Sequence, residues 1–171
     1  AYIDPTDKNN PIAITDHVQF LTNGVPQKVT VTAWGQDVIR KYGETITADT
    51  RFTADKPYVI FDSLVVEQGA KLSIAPGATI CFHDKAYMEV RGTLEAIGTQ
   101  DAPIALRGDR TDNVVGEIDF DIMSGQWGGI ILAPESFGNE MQHVLMRGST
   151  YGVYADSCGI ADRIKLHLYS S

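Results

Sequence analysis

Acidic side chains are concentrated in residues 109–124, the segment of the sequence with the most candidate residues for a binding or catalytic site. It carries Asp109, Arg110, Asp112, Glu117, Asp119 and Asp121. Clustered carboxylates could hold a calcium ion through their oxygens, or bind sugar hydroxyls with Arg110 assisting. Because the Asp-x-Asp-x-Asp-Gly spacing of a calcium loop is missing, we favour a solvated loop and predict no cofactor. Calcium and sugar binding stay as alternatives.

Catalysis would need more specific arrangements of charged side chains. Glycoside hydrolysis requires two carboxylates about 5 to 9.5 Å apart, and Asp119 and Asp121 would point the same way on an extended segment. A lyase requires a base beside a uronate carboxylate and cations that stabilise the developing charge. Arg107, Arg110 and Arg147 have the residue type alone. We therefore predict no catalytic residue.

Histidines and aromatic residues offer two further signals. His83 beside Asp84 could be half of an acid–base pair, although a turn residue is the more common use of this pattern. Trp127, Tyr151 and Tyr154 could stack on sugar rings if exposed, whereas burial as stacked aromatics between repeats is the favoured alternative. The predicted ligand-binding residues are therefore Asp109, Arg110, Asp112, Asp119, Asp121, Trp127 and Tyr151.

Composition excludes several classes of partner. The chain of 171 residues has a formal net charge of -8 and no basic stripe, which argues against nucleic acid and anionic membranes. It has no run of 18 apolar residues, so we predict no membrane span. With 43% hydrophobic residues, it is expected to fold around a core of its own.

Two β-rich runs near the N terminus surround a turn signal. Residues 17–22 and 28–34 are separated by Asn23-Gly24, which predicts a short antiparallel hairpin. The hairpin resembles the closing strands of immunoglobulin-like sandwich domains that precede stalks on bacterial surface proteins. Residues 36–43 fit either one helical turn or a further strand.

After residue 44 the sequence repeats. The segment from Ser63 is echoed 24 residues later from Tyr87, and the same offset relates Thr79 to Pro103 and Trp127 to Tyr151. Each unit has short aliphatic runs broken by Gly, Pro or polar turns and cannot bury its own apolar face, so the units must stack. The inward residues would be Leu64, Val66, Leu72, Ile74, Ile80 and Phe82. An antiparallel sandwich is the alternative, but it has no reason to repeat at a fixed offset.

Residues 64–108, with Gly69-Ala70-Lys71-Leu72-Ser73-Ile74-Ala75-Pro76-Gly77 and Val90-Arg91-Gly92-Thr93-Leu94, resemble right-handed parallel β-helix repeat proteins of bacterial cell-surface or secreted type, with the pectate-lyase-like superfamily fold. The resemblance extends over residues 44–171. It implies an all-β fold. Proteins with this fold include polysaccharide lyases, pectin hydrolases and adhesin-like stalks, and the fold alone does not distinguish between these functions.

These observations predict two parts. Residues 1–43 would be a leader and hairpin, the end of an immunoglobulin-like sandwich, and residues 44–171 a parallel β-helix truncated at its C-terminal end. The expected function is a non-catalytic, extracellular or outer-surface protein that presents a face for carbohydrate or protein binding, with adhesin-like character. A polysaccharide lyase, a glycoside hydrolase and a purely structural stalk are the alternatives. A homo-oligomer or further domains would cover the open end of the solenoid.

Overall fold

The computed structural model describes most of the chain. The described residues are 12–35, 37–110, 113–115, 118–119, 122–159 and 162–170. They divide into two compact units, Ala1–Val38 and Ile39–Ser171.

The first unit contains the predicted hairpin, with longer strands than the sequence indicated. Strands β1 (Ile12–Thr22) and β2 (Val25–Gly35) pair antiparallel along their whole length. Asn23 and Gly24 have φ values of 51° and 78°, as a type I′ turn requires at both central positions. The antiparallel hairpin is therefore confirmed.

The second unit consists of short strands. In chain order they are β3 (Ile39–Ile46), β4 (Thr50–Phe52), β5 (Tyr58–Val66), β6 (Lys71–Ile74), β7 (Thr79–Phe82), β8 (Tyr87–Val90), β9 (Thr93–Ile97), β10 (Ile104–Gly108), β11 (Asn113–Val115), β12 (Ile118–Asp119), β13 (Gly129–Leu132), β14 (Asn139–Gln142), β15 (Val144–Met146), β16 (Val153–Ala155) and β17 (Leu166–Tyr169). Within the described residues of this unit, every strand pair is parallel except β11 with β12.

The parallel strands line three faces of a solenoid. Face A contains the first half of β5 with β7, β10 and β15, and face B contains the second half of β5 with β8, β13 and β16. Strand β5 passes from one face to the other at Asp62, whose φ of 70° turns the backbone. Face C contains β4, β6, β9, β14 and β17. The predicted parallel β-helix is thus confirmed.

The described strands wind through five successive coils. Their strand-bearing parts are residues 39–52 (coil 1), 58–74 (coil 2), 79–97 (coil 3), 104–142 (coil 4) and 144–169 (coil 5). All six residues predicted to point inward are buried, with relative exposures of 0% to 3%. Alternation along each strand turns the remaining side chains outward.

Turn lengths make the repeat less regular than the sequence indicated. Ser63 pairs with Tyr87, as predicted. Thr79, however, pairs with Ala105 rather than Pro103, and Trp127 forms its bridge with Ser149 rather than Tyr151. Turns of different length precede these strands, so a single offset of 24 is wrong for them.

The second unit also begins earlier than predicted. Strand β3 starts at Ile39 and pairs with β5 along both of its halves, so residues 39–43 belong to the solenoid and not to the leader. The ambiguous segment at residues 36–43 therefore contributes a strand and no helical turn within its described residues.

An insertion separates the strands of coil 4. It leaves face A at Asp109, whose backbone N–H donates to Phe82 O (3.1 Å), and contains the antiparallel pair β11 and β12. It rejoins at Gln126, whose carbonyl accepts from Lys85 N (3.1 Å). Both ends are thereby fixed to the turn of coil 3 between faces A and B, and this turn with the two insertion ends is called the corner below.

Candidate functional site

Two adjoining recesses lie at the corner and share Gly125 in their linings. The acidic recess is lined by His83, Asp84, Asp109 and Arg110 together with residues 123–126, and has a volume of about 350 Å³. The aromatic recess is lined by Lys85, Tyr87, Gly125, Gly128, Ile131, Thr150 and Tyr151, and has a volume of about 380 Å³.

The acidic recess contains a histidine–carboxylate pair. His83 Nδ1 lies 2.7 Å from Asp109 Oδ2. Coil stacking produces this contact, because the hydrogen bond from Asp109 N to Phe82 O sets residue 109 beside residue 83. The sequence suggested Asp84 as the partner of His83, and the structure assigns Asp109 instead. A neutral imidazole that donates from Nδ1 keeps Nε2 as a proton acceptor.

Outward-facing rings continue from His83 toward coil 1. The centroid of the Phe61 ring is 4.8 Å from that of His83, and Tyr42 stacks on Phe61 at 4.6 Å. The backbone register pairs Tyr42 with Phe61, and His83 N donates to Ile60 O. These rings hold the imidazole from the side opposite Asp109.

Glycines shape the floor of the aromatic recess. Gly125 and Gly128 line the recess, and the next residue, Gly129, is buried, with a φ of 119° and a position where a Cβ would lie 2.5 Å from Gly152 O. A Cβ on Gly128 would lie 2.8 Å from Tyr87 Cβ. Gly129 combines a positive φ with a close approach to backbone, so only glycine fits there, whereas at Gly128 the close approach to Tyr87 alone excludes a larger residue. Because glycine has no side chain, the backbone of the floor and the edge of Tyr87 remain accessible in the recess.

Exposed aromatic and aliphatic side chains form the walls of this recess. Tyr151 is 70% exposed and Tyr154 is 53% exposed. With Ile131 they line an adjoining cavity of about 340 Å³, whose accessible surface is almost wholly apolar. Strand register explains the arrangement, because Ile131 of β13 pairs directly with Tyr154 of β16. Among the described residues that line these two cavities, Lys85 is the only Lys or Arg.

The structure brings together three of the residues predicted to bind a ligand. Asp109 and Arg110 line the acidic recess and Tyr151 lines the aromatic recess. Asp112 and Asp121 lie outside the described residues. Asp119 is described only for its backbone, in β12. Within the described residues, no group of three His, Cys, Asp or Glu side chains is arranged to hold a metal ion.

Trp127 is buried, which corrects its prediction as a ligand-binding residue. Its relative exposure is 0%, its ring stacks on Phe82 at 4.2 Å, and its indole N–H donates to Arg147 O at 2.7 Å. Gly108 pairs with Phe82 in the register of β10 and β7, and a Cβ there would collide with the side chain of Gln126, the residue before Trp127. The ring belongs to the core, so it has no face available to a sugar.

The sequence did not identify Tyr87, Lys85 and Ile131 as site residues. Tyr87 begins the segment that repeats the one from Ser63, so the sequence indicated an ordinary strand residue at this position. Its place in the recess depends on Gly128, which follows the insertion and reaches it by the bond from Gly128 N to Ala86 O (2.9 Å). No local signal in the sequence specifies that return.

Basic residues near the C terminus have structural contacts. The Arg163 guanidinium lies 4.1 Å from the centroid of the Phe137 ring, and Lys165 Nζ donates to Ala133 O.

Arg91 forms ion pairs on the surface between faces B and C, where it bonds Glu89 at 2.7 Å and Glu67 at 3.0 Å. The hydrogen bond and charge of Glu89, then the charge of Glu67, raise the pKa of Arg91 above its usual value.

Stacked parallel coils with short strands on three faces place the chain among the β-helix solenoid proteins. A family model described as a pectate-lyase like beta helix domain matches residues 44–166, and the chain belongs to this family. It is also similar to Protein bark beetle from Drosophila melanogaster, with 34% identity over 65 residues. That match covers 38% of this chain, which spans 2% of the relative's length. No solved structure matches the chain significantly. Within the described residues, no helix is long and apolar enough to span a membrane.

Proposed function

We propose that this β-helix is a non-catalytic, extracellular or outer-surface protein that binds carbohydrate in the aromatic recess. The observation that carries the proposal is the glycine floor walled by Tyr87, Tyr151 and Ile131. Sugar rings present apolar C–H faces that pack on aromatic side chains, while their hydroxyls need a few polar partners at the edge.

Polar groups at the rim support this assignment. Lys85 and Thr150 line the recess beside the aromatic rings, and the backbone of Thr150 is fixed by donation from its N–H to Trp127 O (2.8 Å). The same carbonyl accepts from Thr150 Oγ1 at 3.0 Å. An edge held by backbone hydrogen bonds is preorganised, which reduces the entropy lost when a ligand binds.

An oligosaccharide array followed by calorimetry with the bound glycan tests the proposal. Tyr151→Ala should weaken binding by roughly 5- to 150-fold, because an aromatic contact of this size contributes about 1–3 kcal/mol. Tyr42→Ala is the matched control, since Tyr42 is 67% exposed and lines neither recess. The control should bind with unchanged affinity.

Two results would contradict carbohydrate binding at this recess. One is the absence of binding to every glycan on a broad array. The other is equal loss of affinity in the Tyr151 and Tyr42 variants, which would locate the ligand elsewhere.

The His83–Asp109 pair favours a second candidate, a polysaccharide lyase or hydrolase. Nε2 of His83 could act as a general base toward a substrate in the acidic recess, with Arg110 beside it. Release of reducing ends or unsaturated uronates from a polysaccharide panel would support this candidate, and His83→Gln should abolish it. Asp84→Asn is the control in the same recess.

A further inference from the structure

We propose that the acidic and aromatic recesses form one cleft, which binds an oligosaccharide of two or more sugar units across Gly125. This inference rests on the proposed carbohydrate binding, and it adds the class of ligand and a second sugar position. The two recesses have volumes of about 350 and 380 Å³ and share Gly125 in their linings. Because small-molecule sites have volumes of about 300–1,000 Å³, each recess is large enough for a sugar unit.

The space above Gly125 is open. Gly125 is exposed, and a Cβ there would meet no atom within 4 Å apart from its neighbours in the chain. The backbone beside it is fixed, because Gln126 O accepts from Lys85 N at 3.1 Å and Gln126 N donates to Gly148 O at 2.8 Å. A ligand can therefore pass from one recess to the other over a held backbone without displacing a side chain.

The turn at residues 83–86 borders both recesses and differs from two similar turns of the solenoid. In this turn and in those at residues 67–70 and 75–78, the N–H of the fourth residue donates to the carbonyl of the first. The third residues, all with a positive φ, are Gly69 (87°), Gly77 (78°) and Lys85 (59°). Such a φ is uncommon and strained for lysine, and residues held in uncommon conformations cluster at binding sites. The turn therefore places a side chain beside the cleft where the other two turns have none.

This turn supplies hydrogen-bonding groups to both sugar positions. Lys85 lines the aromatic recess, whereas His83 and Asp84 line the acidic recess. Sugar hydroxyls both donate and accept, so they can donate to the Asp84 carboxylate and to a neutral His83 Nε2, whose ring is held through Nδ1 by Asp109. Hydrogen bonds to charged groups are about twice as strong as those between neutral groups. The first sugar would thus pack on Tyr151, and the second would be bound through its hydroxyls.

Calorimetry with the full chain measures how affinity depends on the length of the glycan. The probes are the monosaccharide, disaccharide and trisaccharide of four linear series, from cellulose, xylan, mannan and polygalacturonate. In at least one series, the trisaccharide should bind at least about tenfold more tightly than the monosaccharide, because it reaches the charged groups of the acidic recess. In nuclear magnetic resonance spectra, the trisaccharide should shift the ring resonances of both Tyr151 and His83.

A side chain at position 125 tests whether the ligand crosses between the recesses. Gly125→Asn should remove the gain in affinity on lengthening the glycan, since asparagine tolerates a φ of 79° and its side chain would stand between the recesses. The matched control is Gly69→Asn, because Gly69 has a φ of 87°, equally open surroundings and no place in either lining. It should leave the gain unchanged.

The outcomes distinguish this inference from the proposed function. If the trisaccharide binds no more tightly than the monosaccharide, or if the two glycine variants have equal effects, the single cleft is overturned and binding is confined to one recess. Absence of binding in all four series would contradict both the cleft and carbohydrate binding at the aromatic recess.

Discussion

Replacing Asn139 by leucine tests how the coils are held together where the repeat departs from its usual residues. Asn139 is fully buried and takes the place in β14 that Leu94 has in β9 and Leu72 has in β6. Side-chain volume alone would favour leucine at position 139, because leucine occupies the equivalent position in coils 2 and 3. Hydrogen bonding argues against it.

The magnitude follows from the three bonds of the Asn139 side chain. Oδ1 accepts from Leu94 N at 2.7 Å, and Nδ2 donates to Ser136 Oγ at 2.9 Å and to Lys165 O at 2.8 Å. Ser136 keeps its bond to Gly92 O, and Lys165 O keeps the backbone N–H of Asn139. The buried Leu94 N–H loses its acceptor, which costs about 1–3 kcal/mol. The two hydrogen bonds donated by Nδ2 are lost as well, so we expect the free energy of unfolding to fall by about 2–4 kcal/mol in total.

Urea denaturation and amide hydrogen exchange measure this effect. Asn139→Leu should lower the free energy of unfolding by about 2–4 kcal/mol, and the Leu94 amide should exchange faster than in the unmodified chain. Ser136→Ala is the control, since it removes one partner of Asn139 Nδ2 but leaves the bond from Leu94 N to Asn139 Oδ1 in place, so the Leu94 amide should stay protected. An Asn139→Leu variant as stable as the original would refute the reasoning, because packing would then outweigh the hydrogen bonds.

Two further substitutions test the core and the buried backbone next to the aromatic recess. Trp127→Phe should keep a ring in the core but lose the donor to Arg147 O, lowering stability in urea by about 1–3 kcal/mol; an unchanged midpoint would contradict the role given to the indole. Gly129→Ala should destabilise by about 1–3 kcal/mol or more, because φ is 119° and the new Cβ would meet Gly152 O. The control Gly159→Ala has open space around it and should change stability by less than about 0.5 kcal/mol; equal effects in thermal melts would remove the argument from close approach.

The fold could be predicted because it follows from local patterns. Alternating aliphatic residues and the offset from Ser63 to Tyr87 were enough to indicate stacked parallel strands and to identify inward residues such as Leu64 and Ile80. The Asn23-Gly24 turn likewise indicated the hairpin. These signals depend on neighbouring residues and on one repeated length.

The candidate site could be predicted only in part, because it depends on the lengths of the turns between strands and on the residue at which the insertion rejoins the solenoid. His83 and Asp109 are 26 residues apart, and only the actual lengths of the intervening turns bring them together. Trp127 and Tyr151 have the same aromatic character in the sequence, yet Trp127 is buried on Phe82 and Tyr151 is exposed. That difference is decided by the point at which the insertion rejoins face B.

The coil register across the insertion is the central claim, and backbone nuclear Overhauser contacts test it most directly. The account predicts contacts between amide and Hα protons that link Met88 with Ile130 and Leu106 with Met146, in the pattern of parallel strands. Close Hα–Hα contacts between these segments would mean antiparallel pairing. That result, or linkage of Met88 to a different strand, would contradict the solenoid and the corner recesses built on it.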